Sequence, residues 1–367
     1  MYQDKITVTY EGKPAYQIIF SKDFSLLSDT LAELGLEGRR FMIISDSIVG
    51  PLYIYDCLQL IKPMAKEVKS ITFDAGEENK NLDTVKLVYK SLIDNRFDRK
   101  DIIIALGGGV VGDLAGYAAA TYMRGIEFIQ IPTTLLAMAD SSIGGKTGVD
   151  FMAYKNMVGA FHQPKLVYMN LSTLNTLPER QFNAGMAEII KHGLIRDKAL
   201  YEWLSSNLDA VRLLDYEILK KMIYISTNIK KNLVESDPRE QGERALLNFG
   251  HTIGHAVEKL MGFELLHGEC VAVGMAAAAY ISSKRGYISR AELDGILDLI
   301  KSYGLPVQVG GLKPDDIYNV TLVDKKMQTD KIKFILLQDI GNAVIDTGVT
   351  REEMMEAIEF ILRQDND

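Results

Sequence analysis

The chain has 367 residues, enough for two domains of common size and too many for one ordinary core. Hydrophobic residues make up 47% and charged residues 25%, which is average globular usage and excludes a disordered or fibrous chain. Forty-nine acidic against 41 basic side chains give a formal charge of −8, which argues against general attraction to nucleic acid or to an anionic membrane surface.

In chain order, the opening MYQDKITVTYEGK carries no basic region followed by an apolar core, so a cytoplasmic location is expected. The first half then alternates short apolar runs with amphipathic stretches: RRFMIIS, KSITF, DIIIALGGG and GIEFIQIPTT. That alternation predicts a parallel sheet wrapped by helices. Each run ends in polar or glycine residues, namely Asp46, then Gly76 and Glu77, then Gly107 to Gly109, then Thr133 and Thr134. Ligands bind outside the carboxyl ends of strands in such sheets, so a nucleotide site is expected there.

In IALGGGVVGDLAGYAAATY, glycines between strand and helix leave backbone amides and a helix N-terminus free to hold a pyrophosphate. A tight structural turn uses the same residues. Asp46, Glu77 and Lys80 are placed to reach ribose or adenine, or else are solvated loop charges. Downstream, Arg124, Asp140, Lys146, Lys155 and Asn156 lie among glycine, serine and threonine, as in a phosphate cradle. GGKT lacks the upstream glycine of a Walker loop, so ATP is not implied.

A soft boundary near Leu177 and Pro178 separates residues 1–178 from 179–367. From about 180 to 304 the spacing is helical, with Pro238 the single internal proline. Glu188 and Lys191, three apart among Met186, Ala187, Ile189 and Ile190, share a helix face, and a buried carboxylate there wants a cation. Lys230 and Arg244 flank the acidic loop ESDPRE ahead of Asn248, and Arg244 lies seven residues before His251, two helical turns. NFGHTIGHAVEKLMGFELLHGE gathers His251, His255 and His267, three of the five histidines. A catalytic zinc-like ion takes three protein ligands, and Glu188 is the carboxylate that completes a histidine pair. Helical spacing by itself favours His251 with His255, and an HxxxH pair taken alone also serves ordinary helix contacts. CVAVGMAAAAYI is too short to span a membrane, and Cys57 and Cys270 read as buried thiols. KIKFILL and NAVIDTG look like a strand pair before a final helix, TREEMMEAIEFILRQ.

Together, ALGGGVVGDLAGYAAATYMRG, PTTLLAMADSSIGGKTGVD, AEIIKHGLI, ALLNFGHTIGHAVE and LHGE resemble 3-dehydroquinate synthase, of the sugar phosphate cyclase superfamily. The resemblance implies an α/β protein, with a Rossmann-like parallel-sheet NAD-binding domain over 1–178 and a mainly α-helical metal- and substrate-binding domain over 179–367. It implies one divalent metal, zinc or cobalt, on Glu188, His251 and His267. NAD contacts fall on Asp46, Glu77, Lys80, Gly109, Val110, Val111, Gly112, Asp113, Thr133, Thr134, Lys146, Lys155, Thr173, Leu174, Asn175 and Thr176. Substrate contacts fall on Arg124, Asp140, Lys146, Asn156, Lys191, Lys230, Arg244, Asn248, His255 and Lys325, with Lys146, Lys191, Arg244, Asn248 and His255 catalytic. Arg124 resembles a residue that reaches across a homodimer interface to the substrate phosphate.

The implied reaction is that of a lyase acting on 3-deoxy-D-arabino-heptulosonate 7-phosphate. Transient oxidation by NAD, phosphate elimination, re-reduction and intramolecular aldol closure give 3-dehydroquinate on the way to chorismate. No protein base is assigned, because the leaving phosphate can serve. The chain departs from the family pattern over Asp150 to Tyr154, at Pro238 and at Glu243. A related cyclase acting on another sugar phosphate, a metal-dependent polyol dehydrogenase and a non-catalytic nucleotide-binding regulator are the competing readings.

Overall fold

The computed structural model describes residues 3–152, 154–262, 264–326 and 332–362, with the backbone alone over 323–326. Two units cluster separately: Met1–Leu177 with Leu219–Thr227, and Pro178–Ile218 with Asn228–Asp367.

The first unit is built on strands β1 (Lys5–Tyr10), β2 (Lys13–Ser21), β3 (Arg40–Asp46), β4 (Glu67–Phe73), β5 (Ile102–Gly107), β6 (Glu127–Pro132), β7 (Lys146–Phe151), β8 (Tyr154–Phe161) and β9 (Leu166–Asn170). Its helices are α1 (Leu27–Glu33), α2 (Gly50–Ile61), α3 (Leu82–Asp94) and α4 (Gly109–Thr121). Seven strands form one sheet in the order β1-β2-β9-β6-β5-β3-β4, parallel except for β1 against β2. The apolar runs become central strands because both of their faces are covered. Phe41, Ile43, Ile102, Ile104 and Leu106 pack on one side with Leu27 and Leu31 of α1 and Cys57 and Ile61 of α2. Met42, Ile44, Ile103 and Ala105 point the other way, onto Val85, Val88 and Leu92 of α3 and Leu114 and Ala118 of α4. The chain runs from β3 out to β4 and returns to place β5 on the opposite side of β3. The topological reversal therefore falls between β3 and β5, where a crevice for a ligand opens at the carboxyl ends.

The four strands read from the sequence are present, and the parallel-sheet expectation is borne out. Three further features were not among the strands read from the sequence. The β1–β2 hairpin turns on Glu11 and Gly12, both at positive φ (51° and 77°). β9 is a short buried strand, and β7 with β8 forms a separate antiparallel hairpin from much of the expected phosphate cradle.

The second unit holds α5 (Glu179–Arg196), α6 (Lys198–Ser206), α7 (Leu208–Arg212), α8 (Tyr216–Ser236), α9 (His251–Leu260), α10 (His267–Lys284), α11 (Arg290–Ser302), α12 (Pro314–Lys326) and α13 (Arg351–Ile361), with the strand pair β10 (Phe334–Asp339) and β11 (Asn342–Asp346). The middle of α8, Leu219–Thr227, clusters with the first unit. CVAVGMAAAAYI forms the buried middle of α10, against which α5, α9, α11, α13 and β10 pack. Small residues there permit close helix approach. A Cβ on Gly268 would lie 1.9 Å from the Ala184 carbonyl oxygen of α5, and one on Gly274 would lie 1.8 Å from the Gly250 carbonyl oxygen just before α9. At the far end of α10, Arg285 donates a fork of hydrogen bonds to Glu353 (2.6 and 2.7 Å) and a third to Asp346 (2.8 Å), tying α13 and β11 to it. No described helix is long and apolar enough to cross a membrane. Cys57 and Cys270 are buried free thiols.

Candidate active site

The glycine contacts bring α5, α9 and α10 together where each carries a candidate metal ligand. Glu188 and Lys191 are both buried on α5, and the Lys191 ammonium donates to Glu188 Oε2. Glu188 Oε1 is buried with no hydrogen-bond partner among the described residues. It lies 4.0 Å from His251 Nε2 and 4.0 Å from His267 Nε2. The other ring nitrogens are occupied: His251 Nδ1 lies 3.1 Å from the Phe249 carbonyl, and His267 Nδ1 lies 3.4 Å from Glu258 Oε2. These acceptors assign the proton to Nδ1 in each ring and leave the Nε2 lone pairs toward Glu188. Burial first, then the Lys191 ammonium and the neighbouring imidazoles, hold His251 well below the ordinary histidine range, so it is neutral.

An orphaned buried carboxylate oxygen facing two imidazole lone pairs is a donor set for a divalent cation. Tetrahedral bonds of about 2.1 Å place ligand atoms about 3.4 Å apart, so each 4.0 Å gap between Glu188 and a histidine would close by only about 0.6 Å. The residues fit a metal. His255 is exposed, its ring 5.0 Å from that of His251 and 5.7 Å from that of His267, and its ligand atom also falls within 4.8 Å of theirs.

Arg244 and Asn248 lie in a 3-10 turn, Glu243–Asn248, and Gly250 follows at φ 80° before α9 begins. The argument that Arg244 sits two helical turns ahead of His251 therefore fails, because the left-handed glycine breaks the helix. A different scaffold holds these residues. Arg244 donates to the Pro238 carbonyl at 2.8 Å, and Asn248 donates to Glu240 Oε1 at 2.9 Å. Asp237 accepts from the backbone amides of Gln241 (2.9 Å), Gly242 (2.6 Å) and Arg244 (3.2 Å). Burial works to raise the Asp237 pKa, but the amides outweigh it and hold the carboxyl below its usual range. Glu243, one of the family departures, pairs with Arg196 at 3.3 Å. Lys230 is buried on α8, and the Lys325 side chain lies outside the described residues.

In the first unit a second cluster forms. The buried Lys80 ammonium lies 2.7 Å from Asp113 Oδ2 and 2.6 Å from Asn156 Oδ1, with Glu77 3.8 Å away. Burial opposes its charge, but Asp113 and Glu77 prevail and raise its pKa. Lys155 reaches Glu77 at 3.9 Å. Asp150, at another departure, accepts from the Asn156 backbone amide at 2.8 Å, which holds Asn156 at φ 53°.

Beside this cluster, Gly109, Val110, Val111, Gly112 and Asp113 form the first turns of α4, directly after β5. Gly108, which caps that helix, has φ −76°; glycine is there for room, since a Cβ would lie 3.1 Å from Thr134. Thr133 Oγ1, at the end of β6, is buried without a hydrogen-bond partner among the described residues, which suits a ligand hydroxyl or amide. Asp46 Oδ1 accepts from the Ile48 (2.9 Å) and Val49 (2.8 Å) amides and so shapes the β3 turn. Thr173 and Leu174 are buried in the 3-10 turn Leu171–Thr176, whereas Asn175 and Thr176 are exposed. Lys146 is exposed at the start of β7, and Asp140 is half-buried in the turn Ala137–Ser141. Arg124 is exposed at φ 69° on a sharp reversal and lines a pocket of about 510 Å³ with Arg99, His162 and Lys165.

Family models for the 3-dehydroquinate synthase N-terminal and C-terminal regions match residues 70–184 and 185–327. The chain is 42% identical over 354 residues to a 3-dehydroquinate synthase of Acetivibrio thermocellus, covering 96% of this chain and 98% of that one. The chain belongs to the 3-dehydroquinate synthase family. Among solved structures, a 2-deoxy-scyllo-inosose synthase complexed with carbaglucose-6-phosphate, NAD+ and Co2+ superposes with a TM-score of 0.88 at 27% identity, covering 98% of this chain and 100% of that one. A 2-epi-5-epi-valiolone synthase of Streptomyces hygroscopicus with NAD+ and Zn2+ bound gives a TM-score of 0.88 at 28% identity, over 97% of this chain and 99% of that one. The resemblance read from the motifs is thus borne out.

Reasoning from the sequence missed Asp237, Glu240 and Glu258, which hold other candidate residues in place. For Glu258 a signal existed: it follows His251 by seven residues and His255 by three, on one helical face. For Asp237 and Glu240, in a loop without periodicity, there was none.

Proposed function

We propose that this chain converts 3-deoxy-D-arabino-heptulosonate 7-phosphate to 3-dehydroquinate and phosphate, as an NAD- and metal-dependent lyase of the shikimate route. Family membership supports the reaction. The observation that carries the site is the unpartnered Glu188 Oε1, 4.0 Å from each of two imidazole Nε2 atoms. Glu188, His251 and His267 hold the metal, zinc or cobalt, as the bound ions of the two cyclase structures suggest. Residues 1–178 bind NAD and 179–367 bind metal and substrate.

When bound, NAD accepts and returns a hydride and the metal acts as a Lewis acid toward substrate oxygen. Lys191, buried beside Glu188, keeps its ammonium in one place and neutralises the carboxylate that shares its helix face. The contacts of Arg244 with Pro238 and of Asn248 with Glu240 fix two polar side chains before substrate arrives, which lowers the ordering cost of binding. Lys146, Lys230, Arg244, Asn156, Asp140, His255 and Lys325 handle the substrate's carboxylate, hydroxyls and phosphate. Asp46, Glu77, Lys80, Asp113, Lys155, Thr133, Thr134, the α4 N-terminus and residues 173–176 hold NAD, with Thr133 Oγ1 open to it. The enzyme works in the cytoplasm as a homodimer in which Arg124 serves the partner's substrate.

Incubation with the heptulosonate phosphate, NAD and zinc tests the reading. Phosphate release with no net accumulation of NADH is expected. Accumulating NADH would identify a dehydrogenase instead, and absence of phosphate release would point to a cyclase with another substrate.

A further inference from the structure

We propose that Glu258 is a positioning residue for His267, accepting its Nδ1 proton and so aiming Nε2 at the metal. The proposal rests on Glu188, His251 and His267 being the ligand set. His267 is the first residue of α10, and its backbone is fixed from two directions. Glu269 accepts the Leu266 amide at 2.7 Å and is itself gripped by the Arg180 guanidinium through two bonds of 2.7 Å. Gly268 lets the same turn press on Ala184 of α5, one helical turn before Glu188. Those contacts place the Cα, and the His267 side chain is 33% exposed.

Glu258 reaches the ring itself. Its residue is only 5% exposed on α9, and both carboxylate oxygens lie 3.4 Å from His267 Nδ1. A neutral imidazole has one proton, so an acceptor at Nδ1 decides that Nε2 carries the lone pair. The two histidines differ in that acceptor. His251 has the neutral Phe249 carbonyl, whereas His267 has an anion, which raises the basicity of the ring and strengthens it as a ligand.

The test compares metal-free wild type, Glu258→Ala, Glu258→Gln and His267→Ala, each checked for folding by circular dichroism and for NAD binding. Cobalt(II) is titrated in against a competing chelator, and its visible ligand-field absorption is recorded. Glu258→Ala is expected to bind cobalt about 10–100-fold more weakly, with an altered absorption band, and to recover much of its turnover at saturating metal. Glu258→Gln keeps an acceptor oxygen without the charge and should fall between the two; it decides the matter if the alanine variant does not fold. Wild-type cobalt affinity and spectrum in both Glu258 variants would overturn the positioning role while His267→Ala still abolished tight binding. Unchanged binding in His267→Ala would overturn the ligand set, and the proposal with it.

Discussion

Glu188 divides its two oxygens, one taking the Lys191 ammonium and the other facing the histidine pair. Glu188→Ala leaves Lys191 buried without its carboxylate and should cost the metal-free protein about 3–5 kcal/mol, measured by urea unfolding. Adding Lys191→Met should recover most of that stability and none of the activity, which separates the structural pairing from the catalytic one. Asp237 carries a pH dependence with a definite sign. Its folded pKa is depressed, so its contribution is complete above the unfolded value of about 3.9 and is lost as pH falls through the folded value. Asp237→Asn should therefore destabilise by about 1–2 kcal/mol at pH 7. The gap between wild type and variant should close as pH falls below the ordinary carboxylate range, in unfolding curves taken across it. The histidines were legible because they are rare and helically spaced. Asp237 and Glu240 were not, because a loop carboxylate that caps amides has the same sequence appearance as a solvated one.

Among the helices, backbone contact sets how closely α5, α9 and α10 approach one another. Gly268 and Gly274 stand where a methyl group would meet carbonyl oxygens of Ala184 and Gly250 at under 2 Å. Gly268→Ala should force α5 and α10 apart, lowering stability by about 1–3 kcal/mol and weakening metal binding together. Gly310→Ala, which meets nothing within 4 Å, should change neither, and thermal melts with and without cobalt compare the two. Element by element, the central strands were the most legible. β3 and β5 announce themselves because both faces are covered, which forces continuous apolar runs. β8 does not: most of its residues are exposed, including Tyr154, Met157 and Phe161, so GVDFMAYKNMVGAF read as an irregular cradle rather than a hairpin. The pairing of Lys80 with Asp113 and Asn156 was equally hidden, since it joins three elements that only the folded sheet brings together.

For the whole molecule, the proposed dimer can be tested through the arithmetic of mixed subunits. Met123, Arg124 and Gly125 all have positive φ (51°, 69° and 114°), a backbone state that bulky residues adopt at a cost and that turns the exposed Arg124 outward. Among the described residues none pairs with its guanidinium, as suits an arginine whose anionic partner comes from elsewhere. Suppose each active site combines its own Glu188 with the partner's Arg124. Arg124→Ala and Glu188→Gln homodimers are then both inactive. In a mixed dimer, the subunit with Arg124→Ala keeps its own Glu188 and receives an intact arginine, so one of two sites works. Random assortment of equal amounts makes about half the dimers mixed, and activity should return to about a quarter of wild type. An arginine that acted within its own chain would leave every site in the mixture short of one group, and co-refolded variants would stay as inactive as either parent.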